Sequence, residues 1–79
     1  MITGQDVYKI RRLYDLTQHE MGRIAGVSQS AVFKIENNYM SLKDQTAKRI
    51  TDRLGITPER LAFIRGIYAE LQSSRQAVM

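Results

Sequence analysis

Gln29, Ser30, Lys34 and Asn37 set two amides, a hydroxyl and an ammonium around two apolar positions, Val32 and Ile35. If Val32 and Ile35 face inward on a helix, those polar groups project outward together, and the ring of Phe33 goes with them. Glutamine can pair with N6 and N7 of adenine, lysine can reach O6 or N7 of guanine, and a hydroxyl serves either way. The chemistry on offer is therefore hydrogen bonding to base edges, with plain solvation of a polar face as the alternative. Phe33 has no hydrogen bond to give. It either packs on a thymine methyl group or tilts between helices to join the core, because an exposed ring is otherwise costly.

No catalytic set of comparable quality exists. The chain has no cysteine and one histidine, His19, which excludes disulfides and thiolate metal sites and leaves a metal cluster or His-based triad without members. No nucleophile, paired carboxylate or oxyanion donor set accompanies His19. The chain reads as non-enzymatic, with no metal, no cofactor and no small-molecule ligand. Its length of 79 residues suits one domain. A net charge of +4 leans only modestly towards polyanionic partners. No apolar run approaches the ~20 residues of a membrane span, and Met1-Ile2-Thr3-Gly4-Gln5-Asp6 lacks the basic head and apolar stretch of a secretory signal. A cytoplasmic location is expected.

The elements that must position these groups are legible from their ends. Thr17-Gln18-His19-Glu20 is a capping box, and Ser41-Leu42-Lys43-Asp44 a weaker one. Thr57-Pro58-Glu59 combines an N-cap, a proline at the first helical position and an acid at the positive helix end. Ser28 and Thr3 are further N-cap candidates, and Gly26 and Gly55 stand where helices should stop. Apolar stripes run through Val7, Ile10 and Leu13 or Tyr14; Met21, Ile24 and Ala25; Val32 and Ile35; Ala47, Ile50 and Leu54; and Leu61, Ile64, Tyr68 and Leu71. The spacing predicts helices over 4–14, 17–25, 28–37, 42–54 and 58–72, in an all-α, five-helix domain over 1–72. Residues 73–79 are expected to form a flexible tail.

The second and third helices are joined by Gly26-Val27 alone, which forces a steep crossing. Gly22 leaves room at the closest approach, Gly26 makes the left-handed turn, and Val27 plugs the corner. That arrangement is a helix-turn-helix. Leu16-Thr17-Gln18-His19-Glu20, Gly26-Val27-Ser28-Gln29-Ser30 and Lys34-Ile35-Glu36-Asn37 resemble the Cro/phage-repressor (Xre-type) helix-turn-helix family. The likeness runs from about Val7 to Leu61. It departs at Gly22, where alanine is commoner, and at Phe33, where the residue is usually polar.

The resemblance implies a repressor-like fold that presents its third helix to the major groove of double-stranded DNA, with Gln29, Ser30 and Lys34 reading bases; Phe33 joins them if its ring meets a thymine methyl group and not the core. It implies a phosphate clamp at the amide end of the second helix beside Gln18. An opposite clamp would involve Asn37, Asn38, Tyr39, Ser41 and Lys43. Arg11 and Glu36 resemble the family's structural ion pair, and Gly22, Gly26 and Val27 its structural corner. Arg23, Lys48, Arg49 and Arg53 could touch DNA or simply be solvated.

The fifth helix carries more apolar surface than one face can hide. One stripe should dock on the domain, and the other, Phe63, Ile67 and Leu71, should meet a second copy. Gly66 lowers helix propensity by up to ~1 kcal/mol, which a close contact there would explain. A two-fold homodimer would set two recognition helices about 34 Å apart on a palindromic operator. The alternative is a helix that only caps its own core. The expected function is transcriptional regulation, most simply as a repressor of the phage or prophage kind. The competing reading is an antitoxin or similar regulator whose last helix and tail bind a protein partner.

Overall fold

The computed structural model describes the backbone of residues 1–78 and the side chains of residues 1–73. Within them run five helices and no strand: α1 (Gly4–Leu13), α2 (Gln18–Ala25), α3 (Gln29–Glu36), α4 (Asp44–Leu54) and α5 (Pro58–Val78). Side-chain oxygens begin most of them. Thr3 with Asp6 and Thr17 with Glu20 close capping boxes, and the Ser28 hydroxyl accepts from the amide of Ala31. Thr57 accepts from the amide of Arg60 at 3.1 Å.

The Ser41–Asp44 box does not form. Helix α4 starts at Asp44, and Lys43 occupies its N-cap in extended conformation without a side-chain hydrogen bond. Leu42 explains the difference, since it packs against the core and holds the strand of chain before α4 out of helical geometry.

Four helices end by one device. A residue turns left-handed, and the amide after it bonds to a carbonyl five residues earlier: Leu16 to Arg11 at 2.8 Å, Val27 to Gly22 at 2.9 Å, Tyr39 to Lys34 at 2.8 Å, Ile56 to Thr51 at 2.8 Å. The left-handed residue is glycine after α2 and α4, but Asp15 after α1 and Asn38 after α3, with φ of 55° and 64°. Asp and Asn tolerate that region better than other side chains. Leu16, Val27 and Ile56 then pack on the core. Tyr39 does not, and stands 76% exposed.

The core gathers Val7 and Ile10 of α1, Met21 and Ala25 of α2, Val32 and Ile35 of α3, Ala47 and Ile50 of α4, and Leu61 and Ile64 of α5, closed by Ile2 and Ile56. Neither candidate for the third position of the first stripe joins it. Leu13 and Tyr14 are exposed because α1 ends there, and Leu16 covers that side instead.

Helix α5 lies on α1. Its guanidinium at Arg65 donates to Asp6 Oδ1 at 2.9 Å and Oδ2 at 2.5 Å, while the Thr3 amide and hydroxyl donate to the same Oδ2. Burial pushes the Asp6 carboxyl up, but these hydrogen bonds outweigh it and hold the group below its ordinary value. Tyr68 meets Tyr8 edge-on at 6.2 Å. Beyond Gln72 the helix continues to Val78 rather than stopping, since Ser73-Ser74-Arg75-Gln76-Ala77 contains no glycine or proline to end it. The side chains of residues 74–79 and the fold of Met79 lie outside the described residues.

Candidate nucleic-acid interface

The corner between α2 and α3 is built on contact distance. A Cβ at Gly22 would lie 2.7 Å from the Val27 carbonyl oxygen, closer than side-chain carbons come to backbone. Alanine at this position would therefore push the two helices apart. Gly26 takes φ of 74°, and the Arg49 guanidinium lies against it. Val27 is half-buried against the core, and Ser28 starts α3 directly after it.

Helix α3 then divides into two faces. Val32 and Ile35 are 1% and 4% exposed, while Gln29, Ser30, Phe33 and Lys34 are all exposed. Phe33 is 46% exposed, so it is on the outer face and not in the core. Gln18 at the amide end of α2 borders the same face and shares a shallow concavity with Ser28, Gln29, Ser30 and Phe33. At the far end of α3, Asn38, Tyr39, Ser41 and Lys43 are exposed on the connecting loop. Asn37 turns its amide nitrogen back to the Phe33 carbonyl at 2.8 Å, which leaves its side-chain oxygen as an acceptor and removes one of its donors from a phosphate.

Behind α3, Glu36 is held by three donors. Arg11 gives Nε at 2.7 Å to Oε2 and Nη2 at 3.0 Å to Oε1, and Gln18 gives Nε2 at 3.3 Å to Oε1. The third nitrogen of Arg11 donates to the Leu16 carbonyl. The Glu36 and Arg11 side chains are 3% and 12% exposed, and hydrogen bonding to Glu36 raises the pKa of the guanidinium. One carboxylate thus joins α1, the start of α2 and the end of α3, and it orients Gln18 beside the exposed face of α3.

Two of the ambiguous cations have a role inside the fold. Arg53 donates to the Ile24 carbonyl at 2.8 Å and Arg49 to the Ala25 carbonyl at 3.4 Å. Both satisfy carbonyls at the negative end of α2. Lys48 sits 3.9 Å from Asp52 in a solvated pair, and Arg23 is exposed.

On α5, Phe63 is 58% and Leu71 51% exposed, and Ile67 between them is half-buried. The space a Gly66 Cβ would fill is open within this chain. His19 is exposed in the first turn of α2. Among the described residues no group of three His, Cys, Asp or Glu side chains could hold a metal ion, and no helix is long and apolar enough to cross a membrane.

Ile2, Asp6 and Arg65 were not singled out by sequence reasoning. Thr3-x-x-Asp6 is a capping-box spacing and marks Asp6 as the partner of Thr3. Nothing local marks Arg65, fifty-nine positions away.

The helix-turn-helix family model HTH_3 matches residues 7–61, from α1 into the first turn of α5. No curated protein and no solved structure matches the chain. With a steep glycine corner, an outward-facing α3 and a family match over most of its length, the chain belongs to the Cro/C1-type helix-turn-helix family of DNA-binding regulators.

Proposed function

We propose that the chain is a transcriptional repressor that occupies a palindromic operator as a homodimer, with α3 of each copy in the major groove. The observation that carries this reading is the division of α3. Val32 and Ile35 are taken into the core, and Gln29, Ser30, Phe33 and Lys34 all remain exposed on one side. Gln29, Ser30 and Lys34 read base edges through hydrogen bonds. Gln18 with the amide end of α2, and the loop of Asn37, Asn38, Tyr39 and Ser41 with Lys43, contact the phosphates flanking them.

The stripe of exposed Phe63 and Leu71, with Ile67 half-buried between them, supports a two-fold contact through α5. Pairing matters because a single half-site offers little surface for affinity. Repression follows from occupancy of a site that polymerase needs, and it requires no cofactor. A cytoplasmic location accords with that role.

Selecting bound duplexes from a random pool tests the reading. A palindromic consensus is expected, and Gln29→Ala and Lys34→Ala should each relax preference at defined base positions. Uniform weakening at all positions would reduce both residues to backbone contacts. A chain that binds no duplex in dilute buffer would overturn the proposal.

A further inference from the structure

Tyr39 breaks a pattern that the other helix ends keep. After α1, α2 and α4 the residue following the left-handed turn is apolar and packs on the core, as Leu16, Val27 and Ile56 do. Tyr39 makes the same backbone hydrogen bond to Lys34, yet it is 76% exposed and leans on Phe33 with ring centroids 6.4 Å apart. The two planes are inclined by 32°, so together they present a bent apolar surface to the outside. Contact with this residue is a usual companion of such a turn, and it holds the Phe33 ring at one side. The Asn37 amide bonded to the Phe33 carbonyl fixes the backbone beneath it. Both rings remain exposed, Phe33 at 46% and Tyr39 at 76%.

Phe33 lies one turn after Gln29 and Ser30 and shares their concavity. In a major groove, a ring at that place meets base edges. Nearly every atom on those edges is a hydrogen-bond donor or acceptor, which a phenyl ring would strip of water without replacement. The C5-methyl group of a pyrimidine is the apolar exception.

We propose that Phe33, positioned by Tyr39, recognises the C5-methyl group of one pyrimidine in each half-site, so that affinity depends on whether that carbon is methylated. Thymine carries the group, and 5-methylcytosine carries the same group at the same place. The inference rests on α3 entering the major groove. It adds that one contact is read by shape and apolarity, and that cytosine methylation can substitute for a thymine in that contact.

The test uses the full chain and the duplex selected from a random pool. Each thymine is replaced in turn by deoxyuridine, which removes only the methyl group. At one position per half-site affinity should fall about fourfold, the transfer preference of a single methyl group, and about fifteenfold with both half-sites changed. Placing cytosine there should weaken binding, and 5-methylcytosine should restore part of the loss relative to unmethylated cytosine. Phe33→Gln should abolish the methyl preference while thermal melting shows the fold intact. Tyr39→Ala should reduce the preference and Tyr39→Phe should keep it.

Equal binding of every deoxyuridine duplex by the wild-type chain would overturn the inference and leave the DNA-binding reading standing. A methyl preference that survives Phe33→Gln would overturn it too. Loss of all duplex binding by the wild-type chain would remove the reading beneath it.

Discussion

Replacing Glu36 by alanine should destabilise the protein far more than an ordinary helix-surface change. Glu36 accepts two hydrogen bonds from Arg11 and one from Gln18, and its side chain is 3% exposed. Its removal strands the Arg11 guanidinium, 12% exposed, with the Leu16 carbonyl as a partner. Removing one member of a buried pair costs about 3–5 kcal/mol. Residual access of water to Arg11 reduces that to about 2–3 kcal/mol. A chain of this length has a total stability of about 4–12 kcal/mol, and each kcal/mol shifts the Tm by about 4–8 °C. A fall of about 10–20 °C is expected, read by thermal melting and urea titration. Glu36→Gln keeps the shape and loses the charge, so it should fall between the two.

The informative control is the pair Arg11→Met with Glu36→Leu. With no charge left buried, most of the stability should return. Duplex affinity should not return with it, because Gln18 has lost the acceptor that orients it. A loss below about 0.5 kcal/mol on Glu36→Ala, as for a solvated surface pair, would refute the reasoning. So would a double variant no more stable than the single one.

The Asp6 carboxyl is held below its ordinary value in the folded chain. Its contribution is complete above the unfolded carboxyl pKa, about 3.9, and is lost as pH falls below that through the lower native value. Tm measured against pH should show this acid limb, and Arg65→Met should flatten it. Gly55→Ala should cost about 1 kcal/mol by urea titration, since φ is 64° there and no atom would obstruct the new methyl group. Asp15→Gly should stabilise, because it relieves a left-handed non-glycine residue. Phe63→Glu with Leu71→Glu should give monomers by sedimentation with little change in Tm, as both side chains are exposed. Lys43, exposed on the loop after α3, would supply two phosphate-neutralising cations per proposed dimer, so log affinity against log salt should fall with a slope of about −1.8.

The corner was legible because its determinants are local. Thr17-x-x-Glu20, Gly26 and Ser28 each satisfy or turn backbone within one helical turn, so their types alone place α2 and α3 to within a residue or two. The same logic misplaced the start of α4, where Ser41 has the right type and spacing but Leu42 is anchored elsewhere. A tertiary contact overrode a local one. The first apolar stripe holds at Val7 and Ile10 but not at its third position: α1 ends at Leu13 through Asp15, a residue whose left-handed tolerance is weaker than that of glycine. The end of α5 carries no stop signal at all, and its extension beyond 72 came from propensity. Arg65 and Asp6 belong to opposite ends of the chain, so no spacing rule relates them. Phe33 could not be assigned from its type, because a ring is at home in a core. Its backbone position outside Val32 and Ile35 decided the matter.

The net charge of +4 was a weak sign of DNA binding because four of its arginines face acceptors within the fold. Arg11 holds Glu36, Arg65 holds Asp6, and Arg49 and Arg53 hold the carbonyl end of α2. Arginine suits these ties because its donors form a rigid planar fork, whereas lysine is a mobile point charge. Three of the four ties converge on the helix-turn-helix: α1 grips the end of α3 through Glu36, and α4 grips the end of α2. A chain of 79 residues has a small core, so directional ties of this kind fix the angle of α3 more firmly than packing alone. A recognition helix held in one orientation before contact loses less conformational freedom on binding. Hydrogen-bonding side chains and one aromatic pair can then discriminate sequence without a large excess of positive charge. On the proposed reading, the arginines contribute to recognition mainly by holding still the helix that performs it.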